Sequence, residues 1–425
     1  MNEKIQSLCD FLDNSHSAYH AQANLVAQLK EQGYTPLVES GSWELVPGGK
    51  YYVCRGGAAV IAFRIPAAAR GFLISAAHTD RPGFKLKENA AQAGAYTKLL
   101  TEVYGGPLLA TWTDRPLSIA GRVMVETENG AEARLFDIDR DLLLIPNVAI
   151  HMNRQANDGT KWNPAVDTLP LLGGKDAKEK FPQLLEEAAG GKILGHDLYL
   201  YVRQKAAVWG MDEEFISAPA LDDLQSVWGT FQGFLAASES EDIPVFCALN
   251  SEEIGSRTTG GADSSILSDV LTRICDARGL DLRQLLSQSF LVSADNAHAV
   301  HPNHPELADA ANAPVMGQGV VLKFNANQRY CTDGLCAAIF RKVCAKAGVN
   351  VQTYYNRADL PGGSTLGCIS ISHVSVPTAD IGLPQLAMHS SYETASIADS
   401  IAMVDAMAAY FSSTLELSEE GFRLS

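Results

Sequence analysis

The strongest constraint on the fold is the apolar run Ile243-Pro-Val-Phe-Cys-Ala-Leu249, which stops at Asn250-Ser251-Glu252-Glu253-Ile254-Gly255-Ser256. A run this short, bounded by turn residues, reads as a strand buried on both faces, and so as part of a parallel sheet covered by helices. Open α/β sheets place their ligands at the C-terminal ends of such strands, where the two carboxylates fall. Adjacent side chains on an extended chain point opposite ways, so neighbouring acids take different jobs: one can bind a metal while the other handles a proton. A Glu pair alone is more often solvated in a turn, and the rest of the chain has to decide between the readings.

With 425 residues, about two domains are expected. Leu8, Phe11, Leu12, Leu25 and Leu29 lie at helical spacing on either side of a break at Asn14-Ser-His-Ser17. Strands are predicted over 51–55, 59–63 and 71–77, the last running into His78-Thr-Asp80. The pattern then turns β-rich, through Leu117-Ser-Ile-Ala-Gly-Arg-Val-Met-Val125 to Asp197-Leu-Tyr-Leu-Tyr-Val202. Strands alternating with helices return after it, with a helix from Asp222, strands over 289–293 and 376–382, and a closing helix through Ile397, Ile401, Val404 and Phe411. The prediction is an α/β fold with a mostly parallel sheet flanked by helices, over 1–85 and 213–425, interrupted by an inserted β-rich domain over 86–212.

Composition excludes several functions. A formal charge of −16 opposes nucleic-acid binding and acidic membrane surfaces. No apolar run approaches the ~20 residues of a membrane span. Met1-Asn-Glu-Lys-Ile-Gln lacks the basic and then apolar segments of a secretion signal, and the eight cysteines form no CxxC pair or dense framework, so a cytoplasmic protein with reduced thiols is expected. Cys331 and Cys336 read as core packing and a helix start rather than a metal pair.

Metal-binding side chains collect at five places: His78 with Asp80, Asp222, Glu252 with Glu253, Asp295, and His389. All five are expected on one edge of one sheet. Two His and three carboxylates suit two borderline divalent ions, zinc first and manganese or cobalt as alternatives, with one carboxylate shared. The uncoordinated Glu is then free to take a proton from water and return it to the leaving amine. Asp80 is placed to accept the free N–H of the His78 ring.

His78-Thr-Asp-Arg-Pro-Gly-Phe84, Ala218-Pro-Ala-Leu-Asp222, Ser251-Glu-Glu-Ile-Gly-Ser256, Ser293-Ala-Asp-Asn-Ala-His-Ala-Val-His-Pro-Asn303 and Gln385-Leu-Ala-Met-His389-Ser390 resemble the motifs of the aspartyl aminopeptidase family. Within the insertion, Val103-Tyr-Gly-Gly, Thr111-Trp-Thr-Asp-Arg and Ile145-Pro-Asn-Val-Ala-Ile-His151 are similar to it too. The resemblance implies a cytosolic two-metal exopeptidase that takes N-terminal Asp or Glu from peptides and assembles as a homo-oligomer, a dodecamer built from dimers. It implies that His78, Asp222 and Asp295 hold one ion and Asp222, Glu253 and His389 the other, with Glu252 as general base. It makes the insertion the dimerisation domain, with His151 reaching a neighbouring subunit's site, and puts Lys323 at the acidic side chain of the substrate, with His298 lining the pocket. A separate cluster of His298, His301 and His304 is not expected, since Pro302 and Pro305 break the helix that would align them.

Five positions depart from the family pattern: Asp223 for Asn, Ser251 for Asn or His, Gly362 for Cys, and Ser391-Tyr392 for Ile-Arg. None removes a ligand or the base, but the missing Arg bears on acidic preference. The alternatives are the same chemistry on neutral N-terminal residues, a metal-dependent deacylase, and a non-catalytic assembled scaffold.

Overall fold

A computed structural model describes residues 3–425. Two N-terminal helices, Glu3–Asp13 and Ala18–Glu31, flank the expected break, where the Ser17 side chain caps the second by accepting the His20 N–H. The main sheet has nine strands, in the order Thr35–Leu37, Lys50–Arg55, Ala59–Arg64, Ile243–Leu249, Phe72–His78, Phe290–Ala294, Thr378–Gly382, Val320–Phe324 and Val351–Tyr355. Its four central strands, from Ile243–Leu249 to Thr378–Gly382, are mutually parallel, so their C-terminal ends share one edge. Every residue of Ile243–Leu249 and of Phe72–His78 is buried, as a doubly covered sheet requires.

One covering layer pairs the helix Leu221–Ala236 with the closing helix Ile397–Phe411. Gly229 and Gly233 allow the close approach: a Cβ there would stand 2.6 Å from Met403 Cγ and 2.5 Å from Met407 Cβ. Trp228, Phe231, Phe234, Met403 and Met407 fill this core completely.

A second, antiparallel sheet of six strands runs from Gly83–Gln92 to Ile193–Val202, with the helix Ala177–Ala189 against it and a core of its own around Phe84, Trp112, Phe136 and Phe181. That helix is absent from the β-rich reading of this stretch. A third sheet of five strands, also not foreseen, joins Ala207–Trp209, Phe215–Ala218, Glu393–Ser396, Pro384–Leu386 and Ala297–His298. Among the described residues no helix is long and apolar enough to cross a membrane.

Candidate metal centre and active site

Three of the five expected positions leave the parallel centre of the nine-stranded sheet. His78 ends its strand in register with Leu249, Glu252 and Glu253 follow Leu249 in a short 3₁₀ turn, and Asp295 follows Ala294. The expectation that all five share one sheet edge is corrected by the other two. Asp222 follows Phe215–Ala218 and His389 follows Pro384–Leu386, both strands of the five-stranded sheet. The two sheets meet here because the chain passes from Asp295 straight into Ala297–His298, which pairs with Pro384–Leu386.

The turns that present these side chains are tight. Ala220, Ser251, Ala387 and His389 all carry φ between 57° and 66° without being glycine. Such torsions cost of order 1–3 kcal/mol each and persist only where the surroundings enforce them. One enforcing residue is Glu393, fully buried, whose Oε1 accepts the His389 N–H at 2.7 Å and whose Oε2 accepts the Asp222 N–H at 2.9 Å. The insertion supplies another contact: Gly106 presents its carbonyl to His389 Nδ1 at 3.0 Å, and a side chain on Gly105 would press on Glu253.

His78, Asp222 and Asp295 bring ligand atoms within 4.8 Å of one another, and so do Asp222, Glu253 and His389. Asp222 belongs to both groups. Its Oδ1 lies 3.5 Å from His78 Nε2 and its Oδ2 3.4 Å from His389 Nε2, which is also 3.4 Å from Glu253 Oε2. Ligands at zinc-binding distance around a tetrahedral ion stand about 3.4 Å apart, so the donor set fits ions of that size. Asp222 Oδ1 and Glu253 Oε1 are buried without a hydrogen-bond partner, as atoms kept for a cation would be.

The electrostatics agree. Asp80, Asp222, Asp223, Glu252, Glu253, Asp295 and Glu393 converge on this region, and burial together with mutual repulsion pushes Glu252 and Glu393 up to about 8 and Asp295 to about 6. Glu253 and Asp223 are raised well above the carboxylate range for the same reasons. Asp222 is the exception: burial opposes its ionisation, but the facing His389 and His78 rings hold it well below the usual range. A cluster this acidic is matched by divalent cations.

Asp80 is placed somewhat differently from its expected role. His78 Nδ1 comes closest to the Asp80 backbone carbonyl, at 3.1 Å, with carboxylate Oδ1 at 3.4 Å. The carboxylate instead accepts the N–H groups of Glu252 at 3.0 Å and Glu253 at 3.2 Å, which open the 3₁₀ turn and have no partner within it. Tyr104 of the insertion completes the contact by donating its hydroxyl to Asp80 Oδ2 at 2.8 Å. Tyr104, Gly106 and Glu393 have no place in the sequence reading of the site. The only signals for them are the Val103-Tyr-Gly-Gly motif and a carboxylate four residues beyond His389.

His78, Asp222, Glu252, Glu253, Asp295 and His389 border a cavity of about 480 Å³ whose other walls include Lys323, Tyr330, Tyr354 and Thr365. Lys323 is buried, donating to the Asp295 carbonyl at 2.7 Å and the Asn296 carbonyl at 3.4 Å. His298 stands at the mouth, its ring 6.0 Å from that of Tyr354, while His301 and His304 pair at the surface with rings 5.3 Å apart. His151 lies on an exposed turn. Ser391 bonds Thr111 of the insertion, and the Tyr392 hydroxyl donates to the Lys205 carbonyl.

The model of the aminopeptidase I zinc metalloprotease family, M18, matches residues 11–411. A probable M18 family aminopeptidase 2 from Clostridium acetobutylicum is 43% identical over 408 residues, 92% of this chain and 94% of that one. A protein of the same description from Ectopseudomonas mendocina is 38% identical, covering 97% of this chain and 98% of its own. Among solved structures, a cryo-EM structure of the Ape4 and Nbr1 complex is similar with a TM-score of 0.93 and 34% identity, over 96% of this chain and 85% of that chain. Yeast aminopeptidase 1 gives 0.85 at 25% identity, over 96% of each chain.

Proposed function

This chain belongs to the aminopeptidase I zinc metalloprotease family and is a metalloaminopeptidase, and from that premise we propose that it removes Asp or Glu from peptide N-termini with two divalent ions, zinc first, and Glu252 as general base. The observation that carries this reading is Asp222, shared between two ligand groups at the wall of a cavity that also holds Lys323. His78, Asp222 and Asp295 would hold one ion, and Asp222, Glu253 and His389 the other. Such a pair, when bound, polarises the scissile carbonyl and makes water acidic enough to attack near neutral pH. Glu252 takes the proton and passes it to the departing amine. Asp80 fixes the Glu252 and Glu253 amides, which keeps the base and the ligand on their separate tasks. Unpaired carboxylates receive the substrate's free α-amine.

Lys323 supports the acidic preference. An ammonium has three donors; two go to the Asp295 and Asn296 carbonyls, and the Asp295 carboxylate stands 3.8 Å off, beyond hydrogen-bond reach, so the third donor is open to a carboxylate in the cavity. In a chain of charge −16 only a local cation can favour an acidic side chain. The test is kcat/KM on Asp, Glu, Leu and Lys anilides with metal content measured. Wild type should prefer Asp to Leu, and Lys323→Ala should cut that preference by about ten- to a hundred-fold, the range of a lost charged hydrogen bond. An unchanged Asp-to-Leu ratio removes Lys323 as selector, and cleavage without acidic preference in the wild type leaves an aminopeptidase for neutral residues.

We also propose a cytoplasmic homo-oligomer built from dimers through the inserted domain, with the dodecamer implied by the family resemblance. Supporting this, the His151 segment exposes Val148, Ile150, Met152 and, farther along, Val166, apolar surface that a second subunit would cover. His151 would then act in the neighbour's site.

A further inference from the structure

One pair of thiols stands apart from the catalytic groups. Cys331 Sγ and Cys368 Sγ are 3.3 Å apart, and no other two of the eight cysteines are in contact among the described residues. The pair joins segments 37 residues apart in sequence. Cys331 follows Tyr330 directly, and Cys368 lies on the short helix Leu366–Ser370, preceded by Gly363, Ser364 and Thr365; Tyr330 and those three residues all line the cavity. Asp380 pins both segments, accepting the Cys331 N–H on one carboxylate oxygen and the Thr365 hydroxyl on the other, at 2.7 Å.

Cys331, Cys368 and Asp380 also lie close enough together to suit a metal ion. The hydrogen bonds argue against that use, because both Asp380 oxygens are taken and the Cys368 thiol donates to the Gln328 carbonyl at 3.0 Å. Two sulfurs in contact, Cys331 buried and Cys368 partly open to solvent, suit oxidation better.

We propose that Cys331 and Cys368 are a reversible oxidation site, closing to a disulfide on exposure to peroxide and thereby altering the cavity wall. The Cys368 thiolate attacks the peroxide O–O bond, becoming a sulfenic acid as hydroxide leaves and takes a proton. The Cys331 sulfur then attacks the Cys368 sulfur, its proton leaving with the hydroxyl as water. Two thiols have lost two electrons and two protons, and one peroxide has become two waters. Cys368 is suited to the first step, since the Cys331 S–H directed at its sulfur lowers its pKa from the ordinary thiol value. An S–S bond is ~2.05 Å long, so closure draws the sulfurs together by more than an ångström. Tyr330 and Thr365 move with them.

The experiment treats the metal-loaded enzyme with hydrogen peroxide, then alkylates, digests and maps the peptides, with anilide turnover followed in parallel. The expected result is a Cys331–Cys368 cross-linked peptide lighter by two hydrogens, and a fall in kcat/KM of about ten- to a hundred-fold, the scale of an ångström misplacement. Dithiothreitol should reverse both. Cys368→Ser, at a partly exposed position, should match the reduced wild type in turnover and resist peroxide. The activity arm rests on the peptidase reading, whereas the cross-link is read by mass alone, so the two can fail separately. The proposal is overturned by both thiols remaining alkylatable after peroxide, by over-oxidation of Cys368 with Cys331 free, or by a further metal ion per chain that leaves in Cys368→Ser. A cross-link that leaves kcat/KM unchanged overturns the effect on the cavity.

Discussion

Glu252→Ala is expected to lower kcat by about a thousand-fold, within the range for loss of a general base, while the bound metal stays at the wild-type level. The competing role for Glu252 is as a ligand. Its carboxylate lies within 4.8 Å of ligand atoms of both His78 and Glu253, so distance alone leaves either role open. Two observations separate Glu252 from Glu253. Only Glu253 falls in the group with Asp222 and His389, and only Glu253 has a buried oxygen with no partner. Glu252 sits at the cavity wall, where burial raises its pKa to about 8 in the metal-free cluster. Metal analysis of Glu252→Ala, alongside anilide turnover, decides the matter. If metal and activity fall together, Glu252 is a ligand. Glu252→Gln, which keeps the volume and the backbone bond to Asp80, guards against reading a collapsed turn as a lost base.

How far the sequence reveals this site depends on what each residue uses to reach it. His78, Glu252, Glu253 and Asp295 are legible because each follows a short apolar run, and the ends of parallel strands gather on one edge. Asp222 and His389 look the same in sequence but belong to a different sheet, whose three- and four-residue strands carry too little alternation to announce it. Family resemblance places them and periodicity does not. Glu393 and Gly106 are harder still. Glu393 acts on the backbone N–H groups of Asp222 and His389, and Gly106 acts through its own carbonyl, and that chemistry leaves no pattern of residue types. Tyr104 reaches Asp80 from the inserted sheet, so its role exists only once the two parts are packed together. The Cys331–Cys368 contact is invisible for a related reason: in sequence Cys331 has Cys336 as its near neighbour, but Cys336 is turned into the core on the helix Gly334–Ala347. The insertion is legible as β-rich, whereas its helix Ala177–Ala189 is interrupted by Pro182, which obscures the helical signal.

The second large effect follows from the sharing of Asp222. A ligand used by one ion should cost one ion when removed, and a ligand used by both should cost both. Glu253→Ala and His389→Ala are therefore expected to keep one ion per chain, whereas Asp222→Asn should retain close to none and lose turnover to background. The amide nearly keeps the volume of the carboxylate and can still present its backbone N–H to Glu393, so the turn should survive. What disappears is a carboxylate held well below the usual range by the two rings, with an oxygen facing each imidazole. A thermal readout tests the same point without relying on activity. Metal that binds only the folded state raises its stability, by about 2.7 kcal/mol at a hundred times Kd, so stripping wild type with chelator should lower Tm by several degrees. In Asp222→Asn the loaded and stripped samples should melt together. Retention of two ions by Asp222→Asn, or loss of a single ion only, would assign the shared position to another carboxylate, with Glu253 first in line because it faces His389 from the other side.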